Sequence, residues 1–200
     1  MEQKEEKLSP KVEALYKAVM ELLLEGREVR QLKVSEITER AGIGKGTAYE
    51  YFESREELLV DAMKYVQKTW VVNIWEGLSH YDSFMGKISC LFDMLDDIMK
   101  KISREALMEI CKILFLSPVV RKEKGCMARG LYDIVETGRR GGELKEELPD
   151  EYVVLTLMGK IFGYIFYSAG AKDAESNVCE PAQMKTYLLD SVRTEFLAKR

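Results

Sequence analysis

Histidine occurs once in this 200-residue chain, and the four cysteines make no C-x-x-C pair. Cys90, Cys111, Cys126 and Cys179 stand far apart, so a cysteine/histidine metal site has almost no ligands to draw on, and no metal is expected. They read as free buried thiols. There is no G-x-S-x-G and no P-loop, and His80 alone cannot assemble with a nucleophile. Paired carboxylates such as Glu56-Glu57 and Glu146-Glu147 fall at exposed helix or loop positions and read as surface. No catalytic residue, no cofactor and no enzymatic activity are therefore expected.

Other absences narrow the class further. No apolar stretch opens the chain, because MEQKEEKLSPK is charged throughout, so no secretory signal is expected. The most apolar run, Tyr152 to Tyr167, is short for a bilayer and contains Lys160, so a cytoplasmic protein with no membrane partner is expected. Prolines number four, alternating strand patterns of useful length are missing, and no internal repeat is found. The fold class is all-α, with about nine helices. Excess positive charge is missing too: net charge is −4, and Met1–Val60 holds 10 Lys/Arg against 13 Asp/Glu. Phosphate binding rests on neutralisation by Lys and Arg, so this balance speaks against a nucleic-acid binder unless the few cations point the right way.

What is present is a helical pattern with a glycine turn near its start. Ser9-Pro10 marks a helix start, with Ser as cap and Pro at the first helical position. Val12, Leu15, Tyr16, Val19, Leu22 and Leu23 follow at steps of three and four to an end near Gly26. In VSEITERAGIGKGTAYEYFESREELL, Ile37 and Ala41 share one face of a short helix, and Gly42 stands where a helix ends in a left-handed residue. Ile43 is the expected buried residue of the turn. Gly44 is the N-cap of a second short helix carrying Tyr49, Tyr51 and Phe52. Two helices joined by a short glycine turn form a helix-turn-helix, here about residues 33–52, whose second helix lies in the major groove of DNA. From Ser54 a further helix begins, with Glu57 three residues on as in a capping box, and continues to Trp70 or beyond.

AGIGKGTAYEYFESREELL resembles the DNA-binding signature of the TetR family of bacterial transcriptional repressors, the similarity covering roughly Pro10 to Trp70. It combines the turn, the Thr-x-Tyr-x-Tyr-Phe run and a basic residue before Glu-Glu-Leu-Leu at fixed spacings. The resemblance implies a three-helix DNA-binding domain over residues 10–70 and a helical regulatory domain over 71–200, joined by the helix that starts at Ser54. It places Lys45, Gly46, Thr47 and Tyr49 in or beside the reading helix. Tyr49, Tyr51 and Arg55 correspond to phosphate-contacting positions, which fix register without reading sequence. Ser35 begins the preceding helix, where a hydroxyl and free backbone N–H groups suit a phosphate. The implied partners are a double-stranded DNA operator, a small-molecule effector and a second copy of the chain as a homodimer. The competing reading is a helical protein-interaction module whose helix-turn-helix does not bind DNA.

The rest of the chain reads as helices over Ser83–Ile102, Arg104–Leu116, Arg121–Arg139, Asp150–Ala169 and Pro181–Leu197, with Gly141-Gly142 and Gly170–Glu180 as breaks. Val153, Val154, Leu157, Met158, Ile161, Phe162, Ile165 and Phe166 make an apolar surface too wide for one neighbour. Gly159 and Gly163 would admit a close partner backbone, and Met184, Tyr187, Leu188, Val192 and Phe196 give the last helix a matching stripe. Residues 150–200 are thus the expected dimer interface, a four-helix bundle. Aromatic and methionine side chains in the middle helices, including Trp70, Trp75, Tyr81, Phe84, Phe92, Met94, Phe115 and Tyr132, suit an adaptable apolar pocket as well as an ordinary core. No ligand-binding residue is assigned. Asp93, Asp96 and Asp97 suit a cationic ligand or a solvated face.

Overall fold

The computed structural model describes residues 8–108, 126–171 and 179–198. Among them the regular structure is helical, apart from one isolated antiparallel bridge between Leu144 and Leu197. The order is α1 (Pro10–Leu24), a single 3-10 turn (Val29–Gln31), α2 (Val34–Arg40), α3 (Lys45–Tyr51), α4 (Arg55–Leu78), α5 (Phe84–Lys101), α6 (Cys126–Arg140), α7 (Asp150–Ala171) and α8 (Pro181–Phe196). Residues 104–108 are helical as well. The rest of the helix expected over Arg104–Leu116, the start of the one expected from Arg121, and most of the expected break from Gly170 to Glu180 lie outside the described residues.

The chain separates into two compact units. The first takes residues up to Thr69 and the return segment from Lys101; the second takes Trp70–Lys100 and the C-terminal helices. The sequence pattern had assigned the segment after Lys101 to the regulatory domain, whereas its buried Ile102, Ala106 and Leu107 belong to the N-terminal unit. α4 contributes residues to both units.

In the first unit, α1 turns Val12, Leu15, Tyr16, Val19, Leu22 and Leu23 inward, against both α2 and α3. Three helices of the molecule end in the same way. Gly26, Gly42 and Gly142 have φ of +84°, +65° and +63°. The residue after each glycine donates its N–H five residues back: Arg27 to Leu22, Ile43 to Thr38 and Glu143 to Gly138, at 3.0, 2.9 and 2.9 Å. This left-handed ending satisfies carbonyls the helix leaves open, and only glycine adopts it cheaply. Helix starts differ from expectation in one place. Ser9 makes no side-chain cap on α1; its hydroxyl donates to the Tyr51 hydroxyl at 3.3 Å. At α4, Ser54 Oγ accepts the Glu57 N–H at 3.1 Å, while the Glu57 carboxylate takes the N–H of Glu53 rather than that of Ser54, at 2.6 Å. The reciprocal cap forms, shifted by one residue.

In the second unit, α7 is the central helix, packed against both α6 and α8. It is long and apolar enough to cross a membrane by length and composition, but half of that stretch is buried inside the protein. Its one lysine, Lys160, is mostly covered and pairs with Glu195 of α8 at 3.0 Å. Burial raises the Glu195 carboxyl, and the Tyr152 hydroxyl with Lys160 more than reverses this, leaving it below the usual range. Arg139 gathers the connection into α7: Nε reaches Asp150 at 2.9 Å, Nη1 the Lys145 carbonyl at 2.6 Å, and Nη2 the Leu148 carbonyl. Lys145 in turn donates to the Thr194 and Glu195 carbonyls at the end of α8, at 3.0 and 2.7 Å, where a cation suits the helix dipole.

Candidate nucleic-acid interface

α2 and α3 are each seven residues long and depend on packing rather than on their own stability. Ile37 and Thr38 anchor α2 inward, and Ala48 is the buried residue of α3. Phe52, just past α3, is core, with its ring 6.0 Å from that of Tyr16. Ile43, expected to be buried, is only half-buried, whereas Ala48 is buried. Gly44 caps α3 in an extended conformation, with φ −65° and ψ 141°.

The outward side carries most of the expected contact residues. Ser35, Lys45 and Gly46 are exposed, Thr47 is half-buried, and Tyr49 and Tyr51 show 49% and 41% of their surface. A Cβ at Gly46 would meet nothing within 4 Å, so a ligand backbone can approach there. Arg55 departs from the expectation of a phosphate contact. Its Nε donates to the Leu32 carbonyl at 2.7 Å, Nη2 to the Arg30 carbonyl at 2.5 Å, and Nη1 to Glu56 at 3.0 Å. The guanidinium is directed into the chain's own backbone.

The acidic residues that outnumber the cations in this unit also have places. Arg40 grips Glu25 with both terminal nitrogens at 2.7 and 2.9 Å, and this bidentate contact holds the Glu25 carboxyl below its usual range. Arg27 meets Glu36 at 2.7 Å, and Lys17 meets Glu13 at the same distance. Lys33 and Lys45 make no ion pair among the described residues, and both are exposed, Lys33 as the N-cap of α2 and Lys45 at the first position of α3. The sequence reading singled out Lys45 and missed Lys33. A signal was available: Leu32-Lys33-Val34 alternates apolar, basic, apolar, and an extended backbone there puts the lysine outside.

The match to known proteins falls on these same elements. Residues 21–62 fit the family model of bacterial regulatory proteins, tetR family. An uncharacterized HTH-type transcriptional regulator, YdgC of Bacillus subtilis (strain 168), is 29% identical over 172 residues, covering 80% of this chain and 84% of YdgC. The helix-turn-helix stretch of this chain is thus similar to that of the tetR family. The family and this relative are regulators, not enzymes. Solved structures of transcriptional regulators share the fold over nearly the whole length. FadR from Bacillus subtilis in complex with stearoyl-CoA aligns at TM-score 0.59 and 17% identity, over 91% of this chain and 97% of FadR. A transcriptional regulator from Saccharomonospora viridis in complex with choline aligns at 0.69 and 14%, over 96% of this chain and all of that one.

In the second unit, several aromatic residues that suited either pocket or core are core. Phe84 and Phe92 are fully buried, edge-on to Phe196 and Tyr164 at 6.4 and 5.2 Å. Asp93 and Asp96 both take Lys185 of α8, at 2.9 Å for Asp93, so the acidic face receives a cation from within the chain. Asp96 also accepts from the Tyr164 hydroxyl; burial first, then this carboxylate, pushes the Tyr164 phenol up to about 12. Val71, Ile74, Trp75, Leu91, Leu95 and Ile161 line a cavity of about 20 Å³, enough for one water and no more. The Trp75 Nε1–H beside it is buried without a hydrogen-bond partner. Cys90 and Cys179 are free and half-buried rather than buried; Cys111 and the Cys126 side chain lie outside the described residues. Among the described residues no group of three or more His, Cys, Asp or Glu is placed to hold a metal.

Proposed function

We propose that the chain is a cytoplasmic, homodimeric repressor, released from a palindromic operator by a small uncharged effector. The observation that carries this reading is the charge distribution on the first unit. Arg27, Arg40 and Arg55 are engaged by carboxylates or backbone, while Lys33 and Lys45, without an ion pair among the described residues, stand beside the exposed Ser35, Gly46, Tyr49 and Tyr51 and the half-buried Thr47. In the proposed complex, α3 enters the major groove, Lys45 and Thr47 approach base edges, and Lys33, Ser35, Tyr49 and Tyr51 hold phosphates. The domain division we favour follows the two units: a DNA-binding part ending near Thr69 and a regulatory part beyond it.

Dimerisation is supported by the outer face of α7. Leu155 is 70% exposed, Phe166 and Tyr152 show over two-fifths of their surface, and Cβ atoms at Gly159 and Gly163 would meet nothing within 4 Å. With Tyr187 of α8, these residues make an apolar face with room for a close helix. Effector release is supported by the small apolar cavity at Trp75. Its apolar lining suits an uncharged molecule with one acceptor for the indole N–H, and entry requires the helices around it to part. A ligand preferring that opened state shifts the population away from the DNA-binding one, by no more than its differential affinity allows.

The deciding experiment is fluorescence anisotropy on DNA from the intergenic region beside the protein's own gene, at several salt concentrations. Tight, salt-dependent binding by a dimer, lost in Tyr49→Ala, is the expected result. Affinity no better than for random DNA, for this region and for a library of genomic fragments, would instead favour a protein-interaction module.

A further inference from the structure

We infer that Arg55 is a positioning residue for DNA binding: it holds the peptide that presents Lys33, and does not itself contact phosphate. The inference rests on the DNA-binding reading above.

The segment from Glu28 to Leu32 is a single 3-10 turn, with Gln31 N–H on the Glu28 carbonyl at 3.0 Å and Leu32 N–H on the Val29 carbonyl at 3.3 Å. A turn that short leaves its last carbonyls without helical partners. Arg55 supplies them from the first position of α4, twenty-three residues away in sequence. Nε takes the Leu32 carbonyl, and Nη2 takes Arg30 at 2.5 Å with a long contact to Val29 at 3.5 Å. Nη1 adds the Glu56 carboxylate. Four of the five guanidinium N–H groups are thereby directed at the chain itself.

The carbonyl of Leu32 belongs to the same rigid peptide as the N–H of Lys33. The Leu32 side chain is fully buried and Val34 nearly so, while the backbone between them is extended, with φ/ψ of −62°/125° and −95°/145° at Leu32 and Lys33. Alternation along that extended stretch leaves Lys33 outside, one residue before α2 and two before Ser35. Fixing the Leu32 carbonyl therefore fixes where Lys33 and Ser35 stand. A fork of donors at set angles is what this requires. A lysine ammonium carries the same charge to a phosphate but cannot bridge two separated carbonyls.

The test compares Arg55→Lys with Arg55→Gln in the full-length protein, using the operator fragment that the wild type binds. A positioning role predicts that both variants lose affinity by about tenfold to a hundredfold, as expected for charged hydrogen bonds to backbone. Both should shallow the salt slope to the same extent, since each displaces the one Lys33 contact. In a Lys33→Ala background the loss from Arg55→Lys should largely vanish, because the two act through one contact. Wild-type affinity in Arg55→Lys, with a shallower salt slope in Arg55→Gln, would overturn the inference and make Arg55 a phosphate contact. A second readout needs no DNA: amide hydrogen exchange at Lys33, Val34 and Ser35 should quicken in Arg55→Lys while the α1 amides stay protected. Unchanged exchange there would also overturn it, whether or not the protein binds an operator.

Discussion

Gly130 of α6 lies flat against the indole of Trp75, so close that a Cβ on the glycine would fall 2.1 Å from the ring. The glycine is required by its neighbour rather than by its backbone. Gly130→Ala should therefore cost about 1–3 kcal/mol by forcing the indole aside. In a Trp75→Leu background the same substitution should cost much less. Urea unfolding of the four proteins closes the cycle; equal costs in both backgrounds would mean that the contact does not exist in solution.

Gly42 makes the opposite prediction. Nothing lies within 4 Å of its missing Cβ, and φ is +65°. The whole penalty of Gly42→Ala is thus the left-handed backbone, about 1–2 kcal/mol. Gly42→Asn should recover part of it, since asparagine tolerates that conformation better. A lowered urea midpoint in the order Gly, Asn, Ala is expected; equal midpoints for Asn and Ala would point to a different turn.

Alkaline pH should weaken the second unit in a defined window. The Tyr164 phenol titrates near 10 in the unfolded chain and is pushed up to about 12 in the fold, so the folded form holds its proton longer. The stability this contributes is complete below pH 10 and declines as pH rises towards 12. Lys185 is also raised: burial works against it, and Asp96 and Asp93 outweigh burial, so its contribution fades in the same direction. Stability measured from pH 9 to 11.5 should fall less steeply in Tyr164→Phe than in the wild type. Parallel slopes would show that burial and Asp96 do not raise the phenol.

Leu155 offers the simplest test of the dimer. Leu155→Glu places a charge on the α7 face without disturbing this chain's own core, since the side chain is already exposed. Sedimentation equilibrium should show monomers with unchanged helical content by circular dichroism. A variant that stays dimeric would move the interface elsewhere.

Much of the fold was legible because it is local. The glycine that ends α2, the extended Gly44 before α3 and the Ser54–Glu57 spacing at α4 each involve residues within five positions, where propensity and capping chemistry act. The side-chain choices that shape the candidate interface are not local. Arg55 chooses carbonyls twenty-three to twenty-six residues away, and Lys185 reaches Asp93 and Asp96 across about ninety. Ser9 could have capped its own helix but turns to Tyr51 instead. Such selections among partners of equal chemistry depend on how helices pack, which no spacing pattern encodes. The return of the segment after Lys101 to the first unit was hidden for the same reason.

The pairing of Arg27 and Arg40 with Glu36 and Glu25 has a consequence for how the regulator would search a genome. A head whose surplus is acidic is held weakly by arbitrary duplex, since that attraction comes from cations neutralising phosphates. On the proposed reading, few copies would sit idle on the vast excess of unrelated sequence, and most would remain free to meet their own site. Occupancy of one operator would then be reached with a small cellular stock of protein, and a modest fall in affinity on effector binding would empty it.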